Sequence, residues 1–109
     1  MTMFAERILQ AIAPDDEEFE MKIRVGSPRP DGDDWSCLVS ITRIFETPRE
    51  LLGVDSWQAV QVSLQFVSTM LDDFVRRGGQ LFWPGTTDVV CPASMFVQPA
   101  DRLVGNEDA

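Results

Sequence analysis

The sequence contains no histidine and no tyrosine, and these absences exclude whole classes of chemistry. A mechanism that needs an imidazole base, a phenol or a histidine metal ligand is not available to this chain. Its two cysteines, Cys37 and Cys91, are too few for a disulfide scaffold and cannot complete a Cys–His zinc site. We expect both to be small buried hydrophobic residues, and we expect no metal and no cofactor.

Basic residues and long apolar runs are also scarce. Nine Lys and Arg stand against 18 Asp and Glu, a net charge of −9, and no basic cluster suggests nucleic-acid binding. No stretch approaches the ~18 to 20 consecutive apolar residues of a membrane span. Residues 1–14 lack the pattern of a secretory signal, because Glu6 and Arg7 interrupt the apolar stretch. We therefore expect a cytoplasmic protein that binds neither nucleic acid nor membrane.

Alternating residues predict an antiparallel sheet. Apolar and charged side chains alternate through residues 18–25, as in a strand with one face in water. We expect residues 35–45 to form a second strand whose odd-numbered residues face the core, since they are the more apolar set. Residues 26–34 are expected to form a solvated loop between the two strands. We expect residues 46–54 to be a connector and residues 80–83 to be a short strand. Residues 89–97 are either an edge strand or a buried irregular segment.

A long helix is the clearest single element. Asp55 and Ser56 offer N-cap oxygens, and Gly78 with Gly79 supplies a C-terminal stop. Residues 4–12 are ambiguous, with apolar residues at helical spacing in a stretch short enough for a strand. We predict an α+β fold in which four or five antiparallel strands carry one helix, residues 56–77, across one face. Residues 1–98 form a single domain and residues 99–109 a flexible acidic tail.

The helix carries more apolar surface than one buried face requires. One row is predicted to face the sheet: Trp57, Val60, Leu64, Val67, Leu71, Phe74 and Val75. A second row lies beside it: Ala59, Val62, Phe66 and Met70. Either residues 46–54 and 89–97 cover this second row as ordinary core, or Val62, Phe66 and Met70 are exposed and form a subunit or partner interface.

Acidic residues concentrate between positions 15 and 34. The candidates for electrostatic partner binding are Asp15, Asp16, Glu17, Asp31, Asp33 and Asp34. They are either a solvated edge that keeps the protein soluble, or a negative surface that steers a basic protein partner. A calcium-binding EF-hand loop starting at Asp31 would need Glu at its twelfth position, where the sequence has Thr42.

Three short motifs carry a resemblance: residues 34–37 (DWSC), 53–59 (GVDSWQA) and 81–85 (LFWPG). They resemble a family of small bacterial domains of unknown function, with Asp-Trp-x-Cys on a strand, Gly-Val-Asp-Ser-x-Gln-Ala at the start of a long helix, and Gly-x-Leu-x-Trp-x-Gly. In that family the segment similar to residues 5–8 is a first strand, so the resemblance favours a strand for residues 4–12. The chain departs from the pattern between Thr42 and Leu52, and the resemblance implies no known activity.

These observations favour a non-catalytic protein-binding domain. We expect an acidic inhibitor or immunity-type protein that masks a basic partner, with the acidic residues giving orientation and Phe66 with its neighbours giving affinity. One alternative is a homodimeric structural or accessory subunit. A second is a small carboxylate enzyme, which would need an acid with a raised pKa in a cleft.

Overall fold

A computed structural model describes residues 3–95 of the chain. The acidic tail expected at residues 99–109 lies outside the described residues, as do the ends of the expected domain at residues 1–98 and of the segment at residues 89–97. The architecture is α+β, with one helix packed on an antiparallel sheet.

The first two strands form a long hairpin. Strand β1 (Met3–Ile12) pairs antiparallel with β2 (Glu18–Gly26), with Leu9 opposite Met21. Leu9 and Ala11 at the end of β1 are buried beside Met21 and Ile23, so alternate residues enter the core where the two strands meet near their turn. The strand prediction for residues 4–12 is confirmed, and their helical spacing has no structural counterpart.

The next three strands complete one side of the sheet. Strand β3 (Arg29–Asp31) and strand β4 (Asp34–Ile41) form a tight hairpin around Gly32, whose φ is +64°. Strand β5 (Phe45–Gly53) pairs along the length of β4. Because β5 occupies one edge of β4, strands β2 and β3 share the other edge and lie end to end.

The sheet therefore has six strands, and the prediction of four or five was too low. Residues 46–54 were expected to be a connector, but most of them belong to β5. This strand shows no clean alternation because it lies at an edge and most of its side chains are exposed, a position that also tolerates Pro48. The predicted loop at residues 26–34 likewise contains β3.

Helix α1 (Ser56–Arg76) follows β5 almost directly. The Asp55 carboxylate caps it by accepting a hydrogen bond of 2.8 Å from the Gln58 amide, and Gly78 leaves it with φ of +105°. The predicted helix at residues 56–77 is confirmed. Strand β6 (Gln80–Phe82) then pairs with the last three residues of β1, and a 3-10 turn (Pro92–Met95) ends the described chain.

The helix is rotated relative to the prediction. Its buried residues are a line one turn apart: Ala59, Ser63, Val67 and Leu71. Small side chains at the first two positions let the helix approach β4 and β5 closely. Trp57 and Leu64 were predicted to face the sheet, but Trp57 is 74% exposed and Leu64 39% exposed.

Gly53, the last residue of β5, lies very close to the backbone of the helix at Gln58 and Ala59. A Cβ atom placed on Gly53 would overlap the backbone nitrogen of Ala59, a contact that requires the helix to move. We expect Gly53→Ala to reduce the free energy of unfolding by about 2–3 kcal/mol, measured by urea denaturation. Gly32→Ala is the matched control, since its Cβ would meet nothing within 4 Å and only the positive φ is strained. Its expected cost is about 1 kcal/mol, and a loss at Gly53 no larger than this would contradict the close approach.

Candidate functional site

Val62, Phe66 and Met70 are half-buried against the body of their own chain. The ring of Phe66 packs on Phe45 of β5 with centroids 5.3 Å apart, and the Arg49 guanidinium lies 5.5 Å from both rings. Phe45 and Arg49 of β5 thus cover Phe66, as in the first of the two alternatives for this row. A role in an interface stays a prediction for these residues, but the most exposed large apolar side chain of the helix is Trp57.

The six candidate acidic residues fall into two groups at opposite ends of the sheet. Asp15, Asp16 and Glu17 form the turn between β1 and β2. Asp31, Asp33 and Asp34 form the turn between β3 and β4. From the pairing of Val25 with Val39, the two turns are separated by about 13 strand residues, roughly 40 Å. They do not form one continuous acidic site.

The turn between β1 and β2 is involved in contacts within the chain. The Arg43 guanidinium bonds Glu17 at 2.6 Å and lies 4.7 Å from the centre of the Phe19 ring. The hydrogen bond with Glu17 raises the pKa of Arg43. The Asp15 carboxylate accepts a hydrogen bond of 3.1 Å from the Glu17 amide. These contacts give this acidic group a structural role in the turn.

The turn between β3 and β4 is different, because its three carboxylates are uncompensated. Asp31, Asp33 and Asp34 are all exposed. Within residues 3–95, no Lys or Arg lies close enough to any of them to form an ion pair. We name these three residues the hairpin acids. They form a concentrated negative charge on the surface of the described chain.

An apolar groove of about 430 Å³ lies beside the start of the helix. It is lined by residues of β1, of the segment after β2 and of the first two helical turns: Phe4, Pro28, Ser56, Trp57, Val60, Gln61 and Leu64. Phe4 is 54% exposed and Trp57 74% exposed, an unusual degree for aromatic side chains that lie together. We call this the Trp57 groove.

The hairpin acids lie at the same end of the sheet as the Trp57 groove. Pro28 lines the groove and precedes Asp31 by three residues, about 10 Å of extended chain. Asp55 immediately precedes Ser56 at the opposite wall and adds a further carboxylate. The structure thus places an apolar surface next to negative charge, which is the combination predicted for partner binding, but with different apolar residues.

Sequence reasoning missed this groove because it assigned Trp57, Val60 and Leu64 to the buried face of the helix. The misleading signal was the regular three-and-four spacing, because Ala59 and Ser63, each one position before Val60 and Leu64, lead to the same Val67 and Leu71 at regular spacing. A useful signal was the pair of small residues, Ala59 and Ser63, because small side chains mark close packing. Phe4 is distant from the helix in sequence and lines the groove only because the fold brings β1 beside the helix.

A second depression of about 230 Å³ lies on the opposite, open face of the sheet. Lys22, Arg24, Ser40, Thr42 and Glu46 line it. Arg24 bonds Glu6 at 2.6 Å, Lys22 lies 3.9 Å from Glu20, and the Thr42 hydroxyl accepts the Lys22 amide hydrogen at 2.9 Å. Since both cations already face carboxylates, this depression is a poorer candidate than the Trp57 groove.

The two cysteines differ in environment. Cys37 is buried in the core as expected, but Cys91 is exposed, so that expectation was wrong for Cys91. The physical reason is that Val90 takes the buried position, where its amide donates to the Leu81 carbonyl at 2.7 Å, and the next side chain points outward.

Residues 3–95 contain neither a candidate metal centre nor a candidate membrane-spanning helix. In that range, no cluster of three or more Cys, Asp or Glu side chains is arranged to hold a metal ion. The single long helix of the same range falls short of the apolar length that a membrane crossing requires.

Comparison with protein families gives one match. Residues 5–93 match the family model described as "Domain of unknown function (DUF6968)", a span from the first strand to the 3-10 turn. No curated protein and no solved structure matches the chain. Because the match covers most of the 109 residues, the chain belongs to this family of domains of unknown function.

Proposed function

We propose that this chain is a non-catalytic protein-binding domain that masks an apolar and basic surface of a partner protein. The observation that carries the proposal is the Trp57 groove, in which a large aromatic side chain is held 74% exposed beside Phe4 and Leu64. Tryptophan is the side chain most enriched at the energetic centres of protein interfaces. Contiguous apolar surface of this kind is costly for a chain that has no partner.

Charge argues that the partner is basic. The chain has a net charge of −9. The uncompensated hairpin acids are separated from the groove by about 10 Å of extended chain. Such a surface raises the association rate of a basic protein and lowers that of an acidic one. More specifically, we propose that the chain is an inhibitor or immunity-type protein in the cytoplasm of a bacterium. Such a role fits an acidic domain that masks a basic partner.

Two aspartate substitutions on the same helix separate binding from folding. Trp57→Asp places a carboxylate in the first helical turn, where the helix dipole favours it, so the free energy of unfolding should change by less than about 0.5 kcal/mol. Phe66→Asp buries a charge beside Phe45 and should cost about 2–4 kcal/mol. Urea denaturation measures both. Equal losses for the two variants would contradict the exposure of Trp57.

Selection from a displayed library of random 12-residue peptides tests the proposed partner chemistry without assuming a partner. Wild-type chain should enrich peptides that combine Lys or Arg with a large apolar residue, and Trp57→Asp should fail to retain them. Affinity should fall as ionic strength rises, because salt screens exposed charges. Enrichment of acidic or uncharged peptides, or equal retention by Trp57→Asp, would contradict the proposal.

Neutralising one acidic group at a time locates the electrostatic contact. The triple variant Asp31→Asn, Asp33→Asn, Asp34→Asn should weaken binding of the selected basic peptides roughly tenfold, since each exposed ion pair contributes up to about 1 kcal/mol. The double variant Asp15→Asn, Asp16→Asn, at the far end of the sheet, is the control and should change affinity less than about twofold. Fluorescence anisotropy measures both, and an equal effect would show that only net charge matters.

A further inference from the structure

One edge of β1 is open along most of its length. Strand β6 pairs only with Gln10, Ala11 and Ile12, and within residues 3–95 no other strand joins that side of β1. Every residue from Met3 to Ile8 is exposed. Backbone N–H and C=O groups on this edge are therefore free to pair with an added strand. We call residues 3–9 on this side the β1 edge.

The β1 edge and the Trp57 groove adjoin each other. Phe4 belongs to both, since it lies on β1 and lines the groove opposite Trp57 and Leu64. A strand added to this edge would present every second side chain to the helix side of the sheet, where the groove lies. Backbone pairing and apolar contact would thus be available to the same segment.

The charged residues of the β1 edge already have contacts in the chain. Glu6 bonds Arg24 at 2.6 Å, and the Arg7 guanidinium lies 5.1 Å from the centre of the Trp83 ring. A bulge between Met3 and Ala5 is the one irregularity in the pairing of β1 with β2. Because neither charged side chain needs a new partner, an incoming strand meets no unpaired charge on this edge.

A second copy of the chain is a poor occupant for this edge. If the β1 edges of two copies paired antiparallel about a two-fold axis at the middle of residues 3–9, Glu6 of one copy would lie opposite Glu6 of the other. In the next symmetric register, Arg7 would lie opposite Arg7. Like charges directly opposite each other destabilise a strand pair. Two chains of net charge −9 also repel each other.

We infer that the partner contributes an extended segment that adds to the β1 edge as a strand. Its apolar residues alternate with polar ones and enter the Trp57 groove, and a Lys or Arg beyond the Met3 end of β1 reaches the hairpin acids. Main-chain hydrogen bonds supply affinity and the groove supplies specificity. This inference rests on the proposed function and specifies how the partner binds.

Nuclear magnetic resonance of the full ¹⁵N-labelled chain tests the inference with two peptides. The probe is the capped eight-residue peptide of alternating Val and Lys. The control is the same peptide N-methylated at its four central residues, which keeps the side chains and removes the donors on both edges. We expect the probe to shift the amide signals of residues 3–9 and to slow hydrogen exchange at alternate amides there. N-methylation should weaken binding at least about tenfold, or 1.4 kcal/mol.

Each other outcome overturns strand addition. Equal binding of the two peptides would mean recognition through side chains alone and would leave the proposed function intact. If the amides of residues 3–9 that point away from β2 exchange slowly before peptide is added, the chain covers its own edge. Protection of those amides that rises with protein concentration would mean a second copy. Failure of both peptides would also reject this mode, while library peptides that still need Trp57 would uphold the proposed function.

Discussion

A single helix has to cover a much wider sheet, and this constraint determines the exposed chemistry of the molecule. Side by side, β5, β4, the end-to-end β2 and β3, β1 and β6 span about 20 Å, whereas a helix is about 10 Å across. The close approach at Gly53 and Ala59 holds the start of the helix over β4 and β5. The first half of β1 consequently lies outside the helix, and Phe4, Trp57 and Leu64 remain at the border of the covered area.

The same geometry divides the acidic residues by role. At one end of the sheet Glu17 is bonded to Arg43, and the acidic turn stabilises the hairpin between β1 and β2. At the other end the hairpin acids lack cationic partners within the described residues and adjoin the uncovered part of the sheet. Uncompensated negative charge and the Trp57 groove therefore meet at this end. A basic partner guided to that end finds both at once.

Local patterns in the sequence predicted the elements that depend on local physics. Alternation through residues 18–25 gave β2, and the caps at Asp55 and Gly78 gave the helix bounds. Strand β5 was missed because an edge strand needs no alternation, and the groove was missed because helical spacing cannot decide between two adjacent rows. Which row faces the sheet depends on the approach at Gly53, a contact between two elements that spacing along one of them does not encode.

Recognition of a partner through the Trp57 groove requires that this groove is open to solvent in the free chain. Acrylamide quenching of tryptophan fluorescence tests it most directly, in a chain where Trp35→Phe and Trp83→Phe leave Trp57 as the single tryptophan. We expect emission and quenching close to those of a tryptophan in water, unchanged across protein concentrations. A blue-shifted Trp57 that acrylamide quenches poorly in the dilute free chain would contradict it, because the groove would then be covered by the chain itself.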